Sequence, residues 1–384
     1  MQPRGTDGPG WTDSTGPRSG VMTTTETPPV DATTALAERL FDGMIAALEL
    51  AAVHLGSELG WYRALAEAPA TAPELAERTG TAPRYAREWL EQQAVAGFLT
   101  VDDEAADPDE RRYTLPEAHH PVLVDRDDLA YMPPFAHVAV AFVRNVPRLL
   151  EAYRTGGGLS WAEMGDARDA QAAANRAYFL GPMASQDLAS VPEIDAALRA
   201  GGRVADVGCG MGWSAIGIAR AYPQARVDGY DIDEPSVEQA RRNAEEAGVA
   251  DRVRFTTVDA AAAGEQGSYD MVAAFECVHD LADPVSVLAA MRRMARPGGT
   301  VLVVDERVAE RFTAPGDAIE RVMYGYSVTC CLPDGLSTRP SAGTGTVMRP
   351  ATLERYACEA GFAGVDVLPV DNDFFRFYRL RAEG

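Results

Sequence analysis

Val204–Gly212 reads VADVGCGMG, and Val227–Asp231 reads VDGYD. Val204 to Val207 has the apolar character of a buried strand. Gly208, Gly210 and Gly212 then make a tight loop, and a helix begins at about Trp213. Glycines let a backbone come close to a ligand, and the crevice beyond the strand ends of an open α/β sheet is where such folds bind small molecules. The second strand ends on a carboxylate, Asp231, and another acid, Asp206, precedes the loop. A dinucleotide fingerprint would need glycine at position 213; Trp213 stands there instead, which excludes a dehydrogenase of that type.

Outward from this stretch, strands and helices alternate, the pattern of a doubly wound parallel sheet. Expected helices are Trp213–Tyr222, Ser236–Ala247 and Val285–Arg296. Expected strands are Arg252–Val258, ending on Asp259, Tyr269–Phe275, ending near Glu276, and Thr300–Asp305. A helix Leu353–Ala360 and strands Gly364–Val370 and Phe374–Leu380 close the chain.

Composition narrows the chemistry. The 384 residues carry a formal charge of −22 and are 46% hydrophobic, enough for a sizeable core. So acidic a chain repels nucleic-acid phosphates. It contains no lysine, which excludes Schiff-base, pyridoxal-phosphate and Walker-lysine chemistry. Five cysteines without C-x-x-C spacing read as thiols of a reducing compartment. With no apolar run of membrane-spanning length expected and no signal-peptide pattern, a cytoplasmic protein with no membrane partner is expected.

Ahead of the sheet, residues 1–33 are too poor in apolar side chains to order, and Met22 offers an alternative start. Leu36, Leu40, Phe41, Met44, Leu48 and Val53 recur at helical spacing. Thr71 caps a short helix with Pro73 in its first turn, Pro83 opens a second helix to about Ala96, and a two-stranded ribbon follows. Together these make a winged helix. Its exposed Arg84, Arg87, Glu88 and Glu91 cancel, so a dimerisation and lid module is expected rather than a DNA reader. The expected divisions are 1–33 as a disordered extension, 34–128 as the winged-helix domain, 129–200 as a helical linker and lid, and 201–384 as the catalytic domain.

The loop GCGMG after Asp206, with Asp231 at the next strand end, resembles the first motif of class I S-adenosylmethionine (SAM)-dependent methyltransferases. With the winged helix, it resembles a bacterial small-molecule family that includes O-methyltransferases and aryl-pyruvate C-methyltransferases. The resemblance implies a Rossmann-like seven-stranded sheet, SAM as methyl donor and S-adenosylhomocysteine (SAH) as product. Asp206, Gly208, Gly210 and Gly212 would hold the methionine end. Asp231 would accept from the ribose diol and Ile232 would pack on adenine. Asp259 and the backbone N–H of Ala260 would meet the adenine edge, with Phe275 alongside.

The segment Phe275–Pro284 resembles the His-Asp stretch of O-methyltransferases, making His279 the general base or acceptor-orienting group beside Asp280. The sulfonium needs no activation; the enzyme must align a nucleophile and remove its proton. Met183, Trp161 and Tyr326 are candidate walls of the acceptor pocket, and Arg349 is a candidate grip on an acceptor carboxylate. Relatives place a histidine before Cys-Leu-Pro that joins a metal site in some of them. Cys330 stands there here, and no metal is expected. The expected partners are a small-molecule acceptor and a second copy of the chain, docked through the N-terminal domain. Two rivals stay open: a SAM-sensing DNA-binding regulator, and a methyltransferase fold recruited to a non-methylating reaction.

Overall fold

Strands that are buried on both faces must be covered by helices on both sides, and the sequence between residues 203 and 306 supplies them in alternation. The computed structural model describes residues 31–263 and 265–382. Seven strands form one sheet: β1 Arg203–Val207, β2 Arg226–Asp231, β3 Val253–Thr257, β4 Tyr269–Phe275, β5 Ala295–Glu306, β6 Phe362–Val367 and β7 Phe375–Ala382. Their spatial order is β3-β2-β1-β4-β5-β7-β6. The first five run parallel. β7 is antiparallel to both neighbours, with Val301 opposite Leu380. Strand order reverses between β1 and β4, so the crevice at the carboxyl ends opens there.

The helix boundaries follow local capping. The Asp233 carboxylate accepts from Ser236 N–H at 3.1 Å, which starts the second crossover helix at Glu234, two residues before the expected position. Asp283 caps Pro284–Met294 through Ser286 N–H at 3.0 Å. β5 starts earlier than expected. Ala295 already pairs with Tyr269, and a register shift between Tyr269 and Met271 absorbs the Pro297-Gly298-Gly299 bend.

The chain divides after Ile45 into two compact units. Most of the expected disordered extension lies outside the described residues, and helix already begins at Ala32. That helix, Ala32–Glu58, has a mean hydropathy of 1.3 over an 18-residue window, long and apolar enough to cross a membrane. The expectation of no such run is therefore corrected; its alanine and leucine content raises the hydropathy despite Asp42 and Glu49.

In the second unit, Thr71 and Glu74 form a reciprocal capping box at the head of helix Ala72–Thr79. Helix Pro83–Val95 follows, and Thr100–Val101 pairs with Tyr113–Thr114, completing the winged helix. Trp61, Tyr62, Leu75 and Leu90 fill its core. Within the segment 129–200, Val138, Phe142 and Leu149 belong to a small core that Cys330 and Cys331 complete, whereas Phe179, Met183 and Leu188 join the core of the sheet.

Candidate active site

Backbone geometry at the end of β1 sets the first half of the site. Gly208 (φ +72°), Gly210 (φ +49°) and Gly212 (φ +81°) all adopt the left-handed conformation that glycine tolerates. A Cβ on Gly208 would lie 2.6 Å from Cys277 Sγ, and one on Gly212 would lie 2.5 Å from Phe255. At Gly210 a Cβ would meet nothing within 4 Å. Two of these glycines therefore exist for packing, and the middle one leaves open space over the loop.

Gly210 N–H donates to Asp231 Oδ2 at 2.8 Å, and Asp233 N–H donates to Asp231 Oδ1 at 2.9 Å. Each carboxylate oxygen keeps a second lone pair, so the Asp231 carboxylate can still accept from a diol. Burial raises its pKa, partly offset by these backbone donors. Asp206, 1% exposed, accepts from Ser214 Oγ at 2.5 Å through Oδ2, while Oδ1 is buried without a donor. Burial pushes its pKa up to about 7. Ile232, beyond the end of β2, is 74% exposed. Asp259 opens the turn Ala260–Ala262, accepting from Ala261 N–H at 2.9 Å.

An orphaned buried oxygen at Asp206, open space above Gly210, a half-used carboxylate at Asp231 and a bare apolar side chain at Ile232 fit an adenosine bearing an amino-acid end. Phe275 does not belong to this set. It is buried in the sheet core and meets Phe179 edge-on with centroids 5.9 Å apart, because the pleat turns it away from the crevice.

Next to the glycine loop, Cys277 Sγ donates to Val207 O at 3.2 Å, which ties the turn after β4 to the end of β1. Glu276 takes φ +51°, rare for a residue with a Cβ, and so redirects the chain into the turn Val278–Asp280. That turn delivers His279 to the floor of a cavity of about 320 Å³. Tyr131, Phe135, Trp161, Tyr178, Tyr326 and Phe374 wall it, and Glu276, Asp280 and Glu306 share the floor.

His279 is 2% exposed. Its Nδ1 lies 2.8 Å from Asp305 Oδ1 and 3.2 Å from Glu306 Oε2, and its Nε2 lies 3.3 Å from Asp280 Oδ1. Only the Asp305 contact has hydrogen-bond geometry. Burial by itself would lower the imidazole pKa. Asp305, Glu306 and Asp280 outweigh it and hold the pKa well above the ordinary value. Glu276 and Glu306 are displaced upward by burial, and each is raised further by a neighbouring carboxylate. Trp161 Nε1 donates to Asp280 Oδ2 at 3.4 Å, and Asn175 Nδ2 donates to Glu276 Oε2 at 2.9 Å.

Of the acceptor-side residues expected from sequence, Trp161 and Tyr326 line this cavity and Met183 and Arg349 do not. Met183 is fully buried in the sheet core because its turn faces the helix that follows β1 rather than the crevice. The Arg349 guanidinium pairs with Glu320, 3% exposed, at 3.1 Å and also reaches the Ala309 carbonyl, so it is committed to a buried ion pair. Cys330 is also displaced from its expected place: its Sγ lies 3.6 Å from Met164 Sδ in the core. The next residue in the helical turn, Cys331, takes the position beside His279 and Asp280 instead.

Asp305, Glu306 and Glu276 were not assigned from sequence. Asp305 and Glu306 could have been, since they close β5 as Asp231 closes β2. Two donor groups, His279–Asp280–Cys331 and His279–Asp305–Glu306, each place their ligand atoms within 4.8 Å of one another.

A doubly wound sheet carrying a glycine loop and acids at successive strand ends is the architecture of a protein that binds a nucleotide-like cofactor at its strand ends. The chain belongs to the SAM-dependent methyltransferases. Residues 198–330 match a methyltransferase domain family, and residues 46–126 match an Rv2258c-like winged helix-turn-helix domain. Over 182 residues it is 36% identical to the ubiquinone biosynthesis O-methyltransferase of Pseudomonas aeruginosa, covering 47% of this chain and 73% of that enzyme. It is 40% identical over 109 residues to the 27-O-demethylrifamycin SV methyltransferase of Amycolatopsis mediterranei, 28% of this chain and 40% of that enzyme. Among solved structures, the mitomycin 7-O-methyltransferase MmcR aligns with a TM-score of 0.68 at 22% identity, covering 92% of this chain and 99% of that one. Human N-acetylserotonin methyltransferase in complex with SAM aligns at 0.67 and 16% identity, covering 93% and 100%.

Proposed function

We propose that this enzyme moves the methyl group of SAM to a hydroxyl of a small specialised metabolite held in the aromatic cavity, with His279 as the base. The single observation carrying this reading is the His279–Asp305 hydrogen bond on the floor of the aromatic cavity, in a turn that Cys277 ties to the end of β1. Asp305 fixes the proton on Nδ1 and leaves Nε2, on the Asp280 side of the ring, as the basic nitrogen. The neighbouring carboxylates make that nitrogen a stronger base than an ordinary imidazole. Asp206, Gly208, Gly210, Gly212, Asp231, Ile232, Asp259 and Ala260 would hold the donor, whose sulfonium supplies the methyl group. The residues named here align the acceptor, exclude water and take its proton.

The O-methyltransferase relatives support oxygen as the acceptor atom, and the rifamycin and mitomycin enzymes support a specialised metabolite. Incubating the protein with SAM and phenolic acceptors tests this: mass spectrometry should find SAH and a product heavier by one CH2. Product formation that survives His279→Ala undiminished would sink the role given to that side chain.

The same reading includes the division into a winged-helix domain at 34–128, a helical lid at 129–200 and a catalytic domain from 201. It also includes a homodimer built through the N-terminal helix, where Leu36, Leu40, Phe41 and Met44 are exposed. Nucleic acid is not proposed as a partner. Arg84 pairs with Glu88, Arg87 with Asp109 and Arg111 with Glu91, so the winged helix meets carboxylates where a DNA reader would meet phosphates. A cytoplasmic location is supported by five cysteines that all remain thiols.

A further inference from the structure

The acceptor cavity has an unusual charge balance for a pocket in a chain with 35 arginines. Glu276, Asp280 and Glu306 line it, and among the described residues no arginine does, which leaves His279 as the one lining side chain able to carry positive charge. Asp305 stands directly behind the imidazole and Asp334 behind Trp161, whose backbone N–H it accepts at 2.9 Å. A single imidazolium cannot answer this many carboxylates. Glu306 is 6% exposed, yet its Oε2 is buried without a hydrogen-bond donor, because His279 spends its Nδ1–H on Asp305. Glu276 Oε1 and Asp280 Oδ1 are likewise buried without donors. Buried carboxylate oxygens without donors are costly, and native proteins keep them where a ligand supplies the donor.

A second, independent feature points the same way. The walls are aromatic, and faces of Trp and Tyr rings attract cations when water is excluded. Carboxylates on the floor and aromatic rings around them together make a recognition site for a protonated amine.

Resting on the methyl-transfer reading, we propose that the acceptor carries a basic amine, held as an ammonium by Glu306 and Glu276 between the aromatic walls. An amine-bearing aromatic is thereby selected over neutral and anionic compounds of the same shape. The ammonium donates to Glu306 Oε2 and Glu276 Oε1, the oxygens that the protein leaves without partners. An acceptor bearing a carboxylate is repelled by the same floor.

A charge series of one phenol tests this: tyramine, 4-ethylphenol and 4-hydroxyphenylacetate, titrated calorimetrically into the intact protein with and without SAH. Tyramine should bind at least about tenfold more tightly than 4-ethylphenol, roughly 1.4 kcal/mol, and 4-hydroxyphenylacetate should give no heat. Glu306→Gln and Glu276→Gln should each cut the tyramine preference severalfold while SAH affinity, which reports an intact fold, stays constant.

Equal affinity across the series would overturn the proposal. So would a variant that weakens SAM but not SAH and leaves the amine preference intact, since the carboxylates would then serve the donor sulfonium. Stoichiometric metal in protein purified without chelator would overturn it as well, because the ion would be what answers those oxygens. Failure of SAH to bind would count against methyl transfer itself, and the series run without SAH would still decide the amine question.

Discussion

Replacing Asp305 by Asn isolates the group that sets both the tautomer and the basicity of His279. The side chain is 1% exposed and its Oδ1 lies 2.8 Å from His279 Nδ1. A hydrogen bond to a charged group is worth about 1.5–3 kcal/mol. At 1.36 kcal/mol per pKa unit, losing that charge lowers the imidazole pKa by roughly 1–2 units. Asn has nearly the same volume, so the fold should persist.

Two consequences follow with definite signs. A lower pKa leaves His279 neutral at lower pH, so the acidic limb of the kcat/KM profile moves to lower pH by that amount. The plateau meanwhile falls, because a weaker and less well-oriented base removes the acceptor proton more slowly, a loss of about 10²–10⁴ for general-base catalysis. Rates measured from pH 5 to 10 with saturating SAM would show both. A variant whose acidic limb stays where it is, or whose plateau equals that of the parent, would refute a base held by Asp305.

Four further outcomes follow from the structure. Thermal stability should fall as pH rises from about 4.5 to about 8: Glu276 and Glu306 have pKa values raised to about 8 and bind more protons folded than unfolded across that range, while the stability from the raised pKa of His279 is present below 6.5 and fades as pH climbs through its folded value. Glu306→Gln should flatten that slope in a melting series, and an unchanged slope would count against the buried cluster. Gly210→Ala should lose SAH affinity in calorimetry for about 1 kcal/mol of stability, because its Cβ meets open space. Gly212→Ala, with a Cβ 2.5 Å from Phe255, should instead lose about 1–3 kcal/mol or more to overpacking. Arg349→Ala should cost about 3–5 kcal/mol by stranding the buried Glu320 carboxylate, and should leave the KM for the acceptor unchanged in protein that remains folded.

The fold around the glycine loop was legible in the chain because its pattern is local. A buried strand, a glycine loop and a helix are consecutive, and Asp206, Asp231 and Asp259 sit at strand ends that periodicity alone can find. Thr71 likewise announced its helix as a cap, and the structure adds the reciprocal bond from Glu74. What the sequence could not decide is which side chain at a given spacing faces the crevice. Phe275 and Met183 look like pocket walls in one dimension but are turned into the core, and Arg349 is consumed by a glutamate 29 residues earlier. Cys331 rather than Cys330 reaches His279, because successive residues of a helical turn point about 100° apart.

The floor of the aromatic cavity is tertiary in origin. Glu276 follows β4, Glu306 ends β5, and Trp161 and Asn175 come from the helical segment before the sheet. They meet only because parallel pairing sets β4 beside β5 and folds that segment over the strand ends. The donor and the fold class were written in local order, whereas the charge of the acceptor pocket arises from contacts between residues far apart in the chain, which no window of sequence displays.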